Sequence, residues 1–582
     1  MQKQKNKQKG ITLIALVVTI IVLIILAGVS INMLVGENGI ITQAQRAAQE
    51  TEQAQKDEEA GLSSLETAIQ EALGNVYNEE KGVNAPRLAS GMTPIKFTEP
   101  SSTEKGAVVE TTSEDAEWYN YNEKKWANAQ TEDGSMWVWI PRFAYRVNSS
   151  TQTFDVVFLV GTTDTYYDEN GELQTAKRCT REDELVDTAT GFTVHPAFTD
   201  ETAISYRNGG WDKEITGIWV AKFEAGYASG NNDAEVVASS VNYTQTDSWV
   251  PDVETGETTE NNGASKSARN WLDGEYGTTT TAIKYPVFQP LTYTMNYISH
   301  NDAYNIAKAL SENGNPYGFN GTADSHLMKN SEWGAVAYLS KSKYGLGIID
   351  ITVNNISLNS GGAERSSDAG KTGVESVYAV TGCTSNSTTE TTRETTIDTI
   401  NATTKNTASG GVYTWNQKTG TTASCTGTIY GIYDLSGGVW ERTTGYVANQ
   451  NSNLSTYGRS IAYDGNKLKT ISTKCTTVYP HDSETDKPEI TENSTNLDTA
   501  ANNNYARNTL IYGDAIRETS SAGTGNNSWY GDVSCFPGLY YPFSIRGGRY
   551  NYGSAAGLFS FSRPYGGHSS YYNGFRAVVV VP

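Results

Sequence analysis

Cysteine, proline and basic residues are all scarce in this chain of 582 residues. Five cysteines are too few and too scattered for a disulfide framework. Fifteen prolines beside 55 glycines favour a globular protein with many loops over a disordered chain. The 44 lysines and arginines are outnumbered by 65 acidic residues, which leaves a net charge of −21. Such a charge repels phosphate backbones, so no nucleic-acid partner is expected.

Sequence motifs for catalysis are lacking as well. The chain contains no Gly-rich phosphate loop, nucleophile elbow or HExxH sequence. Its histidines do not pair at the helical spacing that a metal site on a helix would require. They are His195, His300, His326, His481 and His568. We therefore expect a protein that is not an enzyme, without catalytic residues, metal ligands or a cofactor; calcium binding is left open.

The N-terminus carries a different signal. Residues 1–10 include four lysines and no acid, and residues 11–36 carry no charge at all. Because about 20 apolar residues suffice to cross a bilayer, residues 11–36 are predicted to form a transmembrane helix. The preceding lysines predict that the N-terminus stays in the cytoplasm and that the rest of the chain lies outside the cell.

The junction between Gly10 and Ile11 has its own pattern, since Lys-Gly is followed by ITLIALVVTIIVLIILAGVSI. This segment resembles the leader of type IV prepilins. The resemblance implies a leader at residues 1–10, a prepilin peptidase that cuts after Gly10, and methylation of Ile11. Ala15 stands where that family usually has a glutamate for filament assembly. A minor pilin and a simple membrane anchor are therefore alternatives to a regular pilin subunit.

Two further segments precede the main body of the chain. Residues 37–74 are rich in Ala, Gln, Glu and Leu, with a narrow apolar stripe, and predict a helical stalk. Residues 75–134 are polar and predict a linker. From residue 135 to 582 short apolar runs alternate with Gly, Asn and Asp, which predicts a head built of strands and loops.

Within the head, the runs at 136–147 and 217–227 predict strands. Apolar residues at three- and four-residue steps predict short helices at 300–310 and 331–345, the second capped by Ser331. Two insertions, 381–409 and 451–504, are polar and predict surface loops. Cys383 and Cys425 could form a disulfide across the first insertion.

Six short segments follow one another between residues 136 and 576. They are MWVWIPR (136–142), IWVAKFE (218–224), the helix at 301–310, LMKNSEWGAVAY (327–338), GIYDLSGGVWE (431–441), and RGGRY (546–550) followed by NGFR (573–576). Together they resemble the motifs of the formylglycine-generating-enzyme-like family. The resemblance implies an α+β protein in which the N-terminal transmembrane helix and stalk precede a C-type-lectin-like domain with small antiparallel sheets and long loops.

The motif residues have structural interpretations as well. Trp333 and Trp440 are predicted to be core rings, Glu441 a buried acceptor for backbone donors, and Arg576 a member of a structural ion pair. Oxidases of the family bind copper through two cysteines that follow the RGG motif. Here the matching positions hold Tyr552 and Gly557. Without paired thiolates no copper site forms, so formylglycine-forming activity is not expected.

The segment 549–573 has an unusual composition. Its 25 residues include five Tyr, five Ser and four Gly, and its only charged residues are Arg549 and Arg563. This mixture is typical of antibody-type binding loops, because Tyr supplies a large contact area and Ser and Gly adapt to the partner. The alternative is a Tyr-rich edge of the core, stacked across strands. A buried strand at the edge of the core needs residues that alternate between inward-facing and outward-facing positions. HSSYYN breaks this alternation, which favours a binding surface.

This segment, placed between RGG and GFR at the C-terminal end, resembles the variable region of proteins diversified by diversity-generating retroelements. The resemblance implies that some residues vary and face a ligand while others form a fixed frame. The ligand-facing set is Arg549, Tyr552, Ser554, Ser562, Arg563, Tyr565, His568, Ser569, Tyr571, Tyr572 and Asn573. The frame consists of Gly547, Gly548, Phe575 and Arg576.

The sequence as a whole predicts a cell-surface, adhesin-type protein that binds an unidentified protein or glycan. It would be held by a single membrane helix with its head outside the cell, or would belong to a pilus with other pilin subunits. A structural minor pilin with a non-catalytic, enzyme-like domain is the alternative. A metal-dependent oxidase of the formylglycine-generating family is a third possibility.

Overall fold

The structure is a computed structural model, and it separates into two compact units, Met1–Gly74 and Asn75–Pro582. The described residues are 18–19, 77–178, 191–200, 209–227, 243–244, 282–283, 286–292, 294–296, 298–312, 314–359, 377–385, 391–393, 412–449, 451–481, 494–508, 511–564, 566–567 and 572–581. The predicted leader and stalk lie outside the described residues, as does the apolar run except for Val18 and Thr19.

Helices are few and short in the described ranges. The α-helices are α1 (His300–Ala309), α2 (Asn330–Ser340), α3 (Ser452–Tyr457), α4 (Arg459–Ala462) and α5 (Ser494–Arg507). The 3-10 helices are Tyr121–Glu123, Pro196–Phe198, Gly420–Ala423, Arg517–Thr519, Trp529–Gly531 and Gly553–Ala555. Helices α1 and α2 correspond to the two helices predicted from the sequence. The N-cap of α2 is Lys329 instead of Ser331, because the Glu332 carboxylate accepts the Lys329 N–H at 2.7 Å.

Strands make up most of the regular structure. In chain order they are β1 (Tyr77–Asn78), β2 (Val83–Asn84), β3 (Thr93–Phe97), β4 (Val108–Glu110), β5 (Asn128–Gln130), β6 (Met136–Pro141), β7 (Phe143–Asn148), β8 (Thr153–Phe158), β9 (Thr165–Tyr167), β10 (Leu173–Thr175), β11 (Thr193–Val194), β12 (Gly217–Ala221), β13 (Gly226–Tyr227), β14 (Tyr243–Thr244), β15 (Ala282–Ile283), β16 (Pro286–Val287), β17 (Asp324–Leu327), β18 (Ile356–Asn359), β19 (Val377–Ala379), β20 (Cys383–Ser385), β21 (Thr391–Arg393), β22 (Val412–Thr414), β23 (Trp440–Ala448), β24 (Tyr463–Asp464), β25 (Lys467–Leu468), β26 (Thr477–Pro480), β27 (Phe543–Arg546), β28 (Phe561–Ser562), β29 (Asn573–Phe575) and β30 (Ala577–Val580).

The largest sheet has seven strands in the order β17-β30-β12-β6-β5-β3-β4. Every residue of β6 and β12 is buried, because both strands are flanked by neighbours and covered on both faces. Trp139 lies opposite Trp219 in this pairing, with ring centroids 5.3 Å apart. The predicted strand at 136–147 thus forms β6 and β7, which are separated at Arg142.

A five-stranded sheet is organised around β23. Strand β27 pairs with it in the antiparallel sense, β26 and β29 pair with it in the parallel sense, and β28 extends the sheet beyond β27. The C-terminal segment joins the two sheets, since β29 belongs to the smaller and β30 to the larger. Arg576 is the single residue between these strands.

The expected fold class is wrong. The sequence predicted an α+β protein that opens with a transmembrane helix and a stalk, whereas the structure consists mostly of small sheets with few helices. Among the residues that the structure describes, no helix combines the length and the apolar character needed to cross a membrane.

The predicted linker at 75–134 is also wrong, since β3, β4 and β5 add three strands to the large sheet. Although the segment is polar overall, its Trp118 and Trp126 side chains are buried. The Trp118 indole N–H donates to the Asn128 carbonyl and the Trp126 indole N–H to the Tyr344 carbonyl, both at 2.8 Å. The sequence left open a disulfide between Cys383 and Cys425; both are buried and do not bond to each other.

Candidate binding site

The C-terminal patch is positioned by backbone hydrogen bonds on both of its sides. On one side, a turn joins Arg549 to Tyr552, whose N–H donates to the Arg549 carbonyl at 2.9 Å. On the other side, the Tyr572 carbonyl accepts the N–H of Trp440, the first residue of β23, at 2.8 Å. Two segments that lie apart in the sequence are thereby brought together at the end of the five-stranded sheet.

Arg549, Tyr552 and Tyr572 form a cluster that we call the Arg549 clamp. The guanidinium carbon of Arg549 lies 4.9 Å from the ring centroid of Tyr552 and 4.5 Å from that of Tyr572. The Tyr552 ring in turn meets Trp440 edge-on, with centroids 5.4 Å apart. All three clamp residues are half-buried, whereas Trp440 is buried. Each cation–π contact of this kind contributes about 0.5–1 kcal/mol, so the rings hold the guanidinium in place.

The guanidinium of Arg549 makes no hydrogen bond or ion pair with any residue in the described part of the chain, and its Nε is buried without a partner. Arg517 shares this feature, since its guanidinium carbon lies 3.9 Å from the Tyr505 ring centroid and its Nε is also buried without a partner. Arg146 shows the contrasting, paired arrangement. Arg146 lies over the Phe192 ring at 5.1 Å and pairs with Asp155 at 2.6 Å. Arg549 therefore retains its hydrogen-bond donors at a position that solvent can partly reach.

The remaining predicted ligand-facing residues have mixed positions. Ser554 is exposed, and Ser562 and Arg563 are half-buried, with the Arg563 guanidinium 5.5 Å from the Tyr541 ring. Asn573 is a correction, because it is 1% exposed and belongs to β29, paired with Trp440. Four predicted residues lie outside the described ranges: Tyr565, His568, Ser569 and Tyr571.

The predicted frame residues surround the patch. Phe575, Trp333 and Trp440 are buried, and the Trp333 indole donates to the Leu558 carbonyl at 2.8 Å. Gly547 and Gly548 adopt positive φ angles of 86° and 82°. A Cβ on Gly548 would lie 2.5 Å from the Cβ of Ala556, so only glycine fits there without a shift.

Glu441 and Arg576 form a fully buried, bidentate ion pair. The Arg576 Nε and terminal nitrogen donate to the two carboxylate oxygens at 2.9 and 2.7 Å. The same guanidinium donates to the carbonyls of Ala221 at 2.7 Å and Tyr433 at 2.8 Å. Burial raises the pKa of Glu441 to about 7, against the opposing effect of Arg576. Glu441 thus accepts from a side chain, where the sequence predicted backbone donors.

Sequence reasoning missed two other buried charges in the same region, both from the IWVAKFE segment. The Lys222 ammonium donates to Asn128 Oδ1 at 2.9 Å and to the Gly431 carbonyl at 2.8 Å. The Glu224 carboxylate accepts the Val439 N–H at 3.0 Å, and burial raises its pKa well above the ordinary value. The alternation of charge with apolar residues in IWVAKFE is the signal that could have marked these buried charges. Segments that are distant in the sequence therefore meet in one polar network.

One of the two positions that match the copper-binding cysteines does not accept a larger side chain. A Cβ on Gly557 would lie 2.1 Å from Asp532 Oδ1, so no cysteine fits there without a rearrangement. Tyr552, the other position, belongs to the Arg549 clamp. Elsewhere in the described ranges, no group of three or more His, Cys, Asp or Glu residues is arranged to hold a metal ion.

Comparisons with known proteins add no relative. No protein-family model matches the chain, and no curated protein is significantly similar to it.

Proposed function

We propose that this chain is a ligand-binding protein of the cell surface, which displays on its C-terminal patch side chains that can be exchanged on a fixed frame. The observation that carries the proposal is the Arg549 clamp. It combines two half-buried rings with a guanidinium that has no hydrogen-bond or ion-pair partner in the described chain. Tyr and Arg are the residues that most often dominate binding energy at interfaces.

The frame supports the same proposal. Gly548 is fixed by its close approach to Ala556, and Arg576 is fixed by four buried hydrogen bonds. The backbone is thus held by groups outside the clamp. Exchange of a clamp side chain would change what the patch contacts while the backbone keeps its position, as diversification by a retroelement requires.

Location at the cell surface is part of the proposal. It rests on the resemblance of the first 40 or so residues to a prepilin leader, with Gly10 and Ile11 at the cleavage point. Labelling of intact cells with an antibody against the head tests this part. A signal that appears only after the cells are made permeable would contradict it.

Comparison of the gene's 3′ end among sibling isolates tests the proposed function directly. Codons 549, 552 and 572 are expected to differ between isolates, while those for Gly548 and Arg576 stay the same. A control comes from Tyr167, an exposed tyrosine 44% accessible and outside the patch, whose codon is expected to drift no faster than the rest of the gene. Invariant clamp codons in a drifting gene would overturn diversification at this patch.

A further inference from the structure

We propose that the Arg549 clamp binds a carboxylate of an acidic side chain, Asp or Glu, presented by a partner protein. This inference rests on the proposed function and specifies the chemistry of the ligand. It is argued from the hydrogen-bond donors of Arg549, from the charge around them and from the rings that flank them.

The donors of Arg549 point to an acceptor outside this chain. A guanidinium carries five N–H donors in a planar fork, and rings under it satisfy none of them with a strong acceptor. Arg549 makes no hydrogen bond within the described residues, although its side chain is only half-buried. A ligand that supplies an acceptor to the donors that solvent reaches therefore adds hydrogen bonds that the clamp itself does not make, and hydrogen bonds to a charged group contribute about 1.5–3 kcal/mol each.

The charge of the sequence segment that carries the clamp favours an anion. Segment 549–573 contains no Asp or Glu, although acidic residues outnumber basic ones in the chain as a whole. Arg146 shows the contrasting arrangement, since its ring contact is accompanied by an ion pair with Asp155. A planar fork matches a carboxylate through two parallel hydrogen bonds, which makes that pairing shorter and stronger than a neutral one.

The net charge of the chain favours a protein over a polyanion as the molecule that presents the carboxylate. A net charge of −21 repels polyanions such as nucleic acids and anionic membranes. A single acidic side chain within a protein surface carries little net repulsion and reaches the guanidinium locally. The flanking Tyr, Ser and Gly residues form the mixture that protein-binding loops use. We therefore commit to an acidic side chain on a protein.

The clamp is also preorganised for this task. Tyr572 lies directly before β29, and Tyr552 is held in a turn and contacts the buried Trp440. The two rings restrict the Arg549 side chain before the ligand arrives. Less side-chain entropy is then lost on binding, so the same hydrogen bonds give a more favourable binding free energy.

A phage-displayed library of random peptides, selected on the immobilised full-length chain, tests the inference. We expect the retained peptides to be enriched in Asp or Glu. Replacing that acidic residue of a selected peptide by its amide, or Arg549→Gln in the protein, should each weaken binding at least about tenfold. Combined, the two changes should weaken it little further. Arg549→Lys keeps the charge but not the fork, and should restore binding only in part.

Arg146→Gln is the matched control, because Arg146 also lies on a ring but already has its carboxylate. It should change peptide affinity less than twofold. The double variant Tyr552→Ala with Tyr572→Ala should retain no peptides, while its melting temperature shows that the head is still folded.

The outcomes separate the two proposals. Peptides that bind through the two tyrosines but show no acidic enrichment, or that bind Arg549→Gln as well as the parent, overturn the carboxylate inference and leave the proposed function standing. Retention that is equal for the parent and for the folded double tyrosine variant overturns the proposed function, and the carboxylate inference with it.

Discussion

Replacement of Arg576 by methionine should be the most informative test of the frame. The side chain is fully buried, and it makes two hydrogen bonds to Glu441 and two to backbone carbonyls. Arg576→Met leaves the Glu441 carboxylate buried beside Asp434 and Glu224, which are also acidic. Removing one partner of a buried pair costs about 3–5 kcal/mol of unfolding free energy.

The cost should depend on pH in a defined direction. The pKa of Glu441 is already raised to about 7 by burial. Loss of the Arg576 charge raises that pKa further, so the orphaned carboxyl takes up a proton and the penalty is limited. We therefore expect Arg576→Met to cost less at pH 6 than at pH 8. In the Arg576→Met background, Glu441→Gln should be less harmful than in the parent, because the charge it removes no longer has a partner.

Urea unfolding of the full-length chain, followed by tryptophan fluorescence at both pH values, measures these costs. Arg146→Met is the control, since the pair of Arg146 and Asp155 is 41% and 46% exposed. An exposed pair contributes about 0–1 kcal/mol, so this variant should change little. Equal costs for the two methionine variants, or a cost of Arg576→Met that is the same at pH 6 and pH 8, would refute the reasoning.

Three further predictions follow from other buried groups. Burial raises the pKa of Glu518 from 4.5 to about 7. The protonated carboxyl therefore adds about 3 kcal/mol to the free energy of unfolding below about pH 4.5, and this contribution is lost as the pH rises through 7. Glu518→Gln should flatten this decline of the urea midpoint with pH, and an unchanged slope would contradict the prediction. Gly557→Ala places a Cβ against Asp532 and should lower stability by about 1–3 kcal/mol; an unchanged thermal midpoint would show that the site is open. Because Cys383 and Cys425 form no disulfide with each other, a reducing agent should leave the melting temperature unchanged, and a drop would indicate a bond.

Local patterns in the sequence predicted local structure well. The apolar spacing at 300–310 and 331–345 predicted α1 and α2, because helix periodicity is a property of neighbouring residues. The runs at 136–147 and 217–227 gave β6, β7 and β12. Arg576 of the GFR motif was predicted to belong to an ion pair, and its partner in the structure is Glu441.

The errors concern features that depend on distant partners. Strand β3 was missed because its Ile95 and Phe97 are buried only when β5 and the Tyr430 ring cover them. Asn573 was assigned to the surface because it follows exposed-looking tyrosines, yet it pairs with β23, more than 130 positions earlier. No pattern of neighbouring residues contains that information.

The position of the clamp explains how binding side chains could vary without loss of the fold. Arg546, shortly before the clamp, donates to the carbonyls of Ser560, Asp514 and Ala515 and is fully buried. Arg576 fixes the other segment shortly after Tyr572. Both segments are therefore held by buried guanidinium groups and backbone hydrogen bonds, not by the half-buried rings between them. Substitutions in the clamp should consequently change what the patch binds far more than they change the stability of the sheets beneath it.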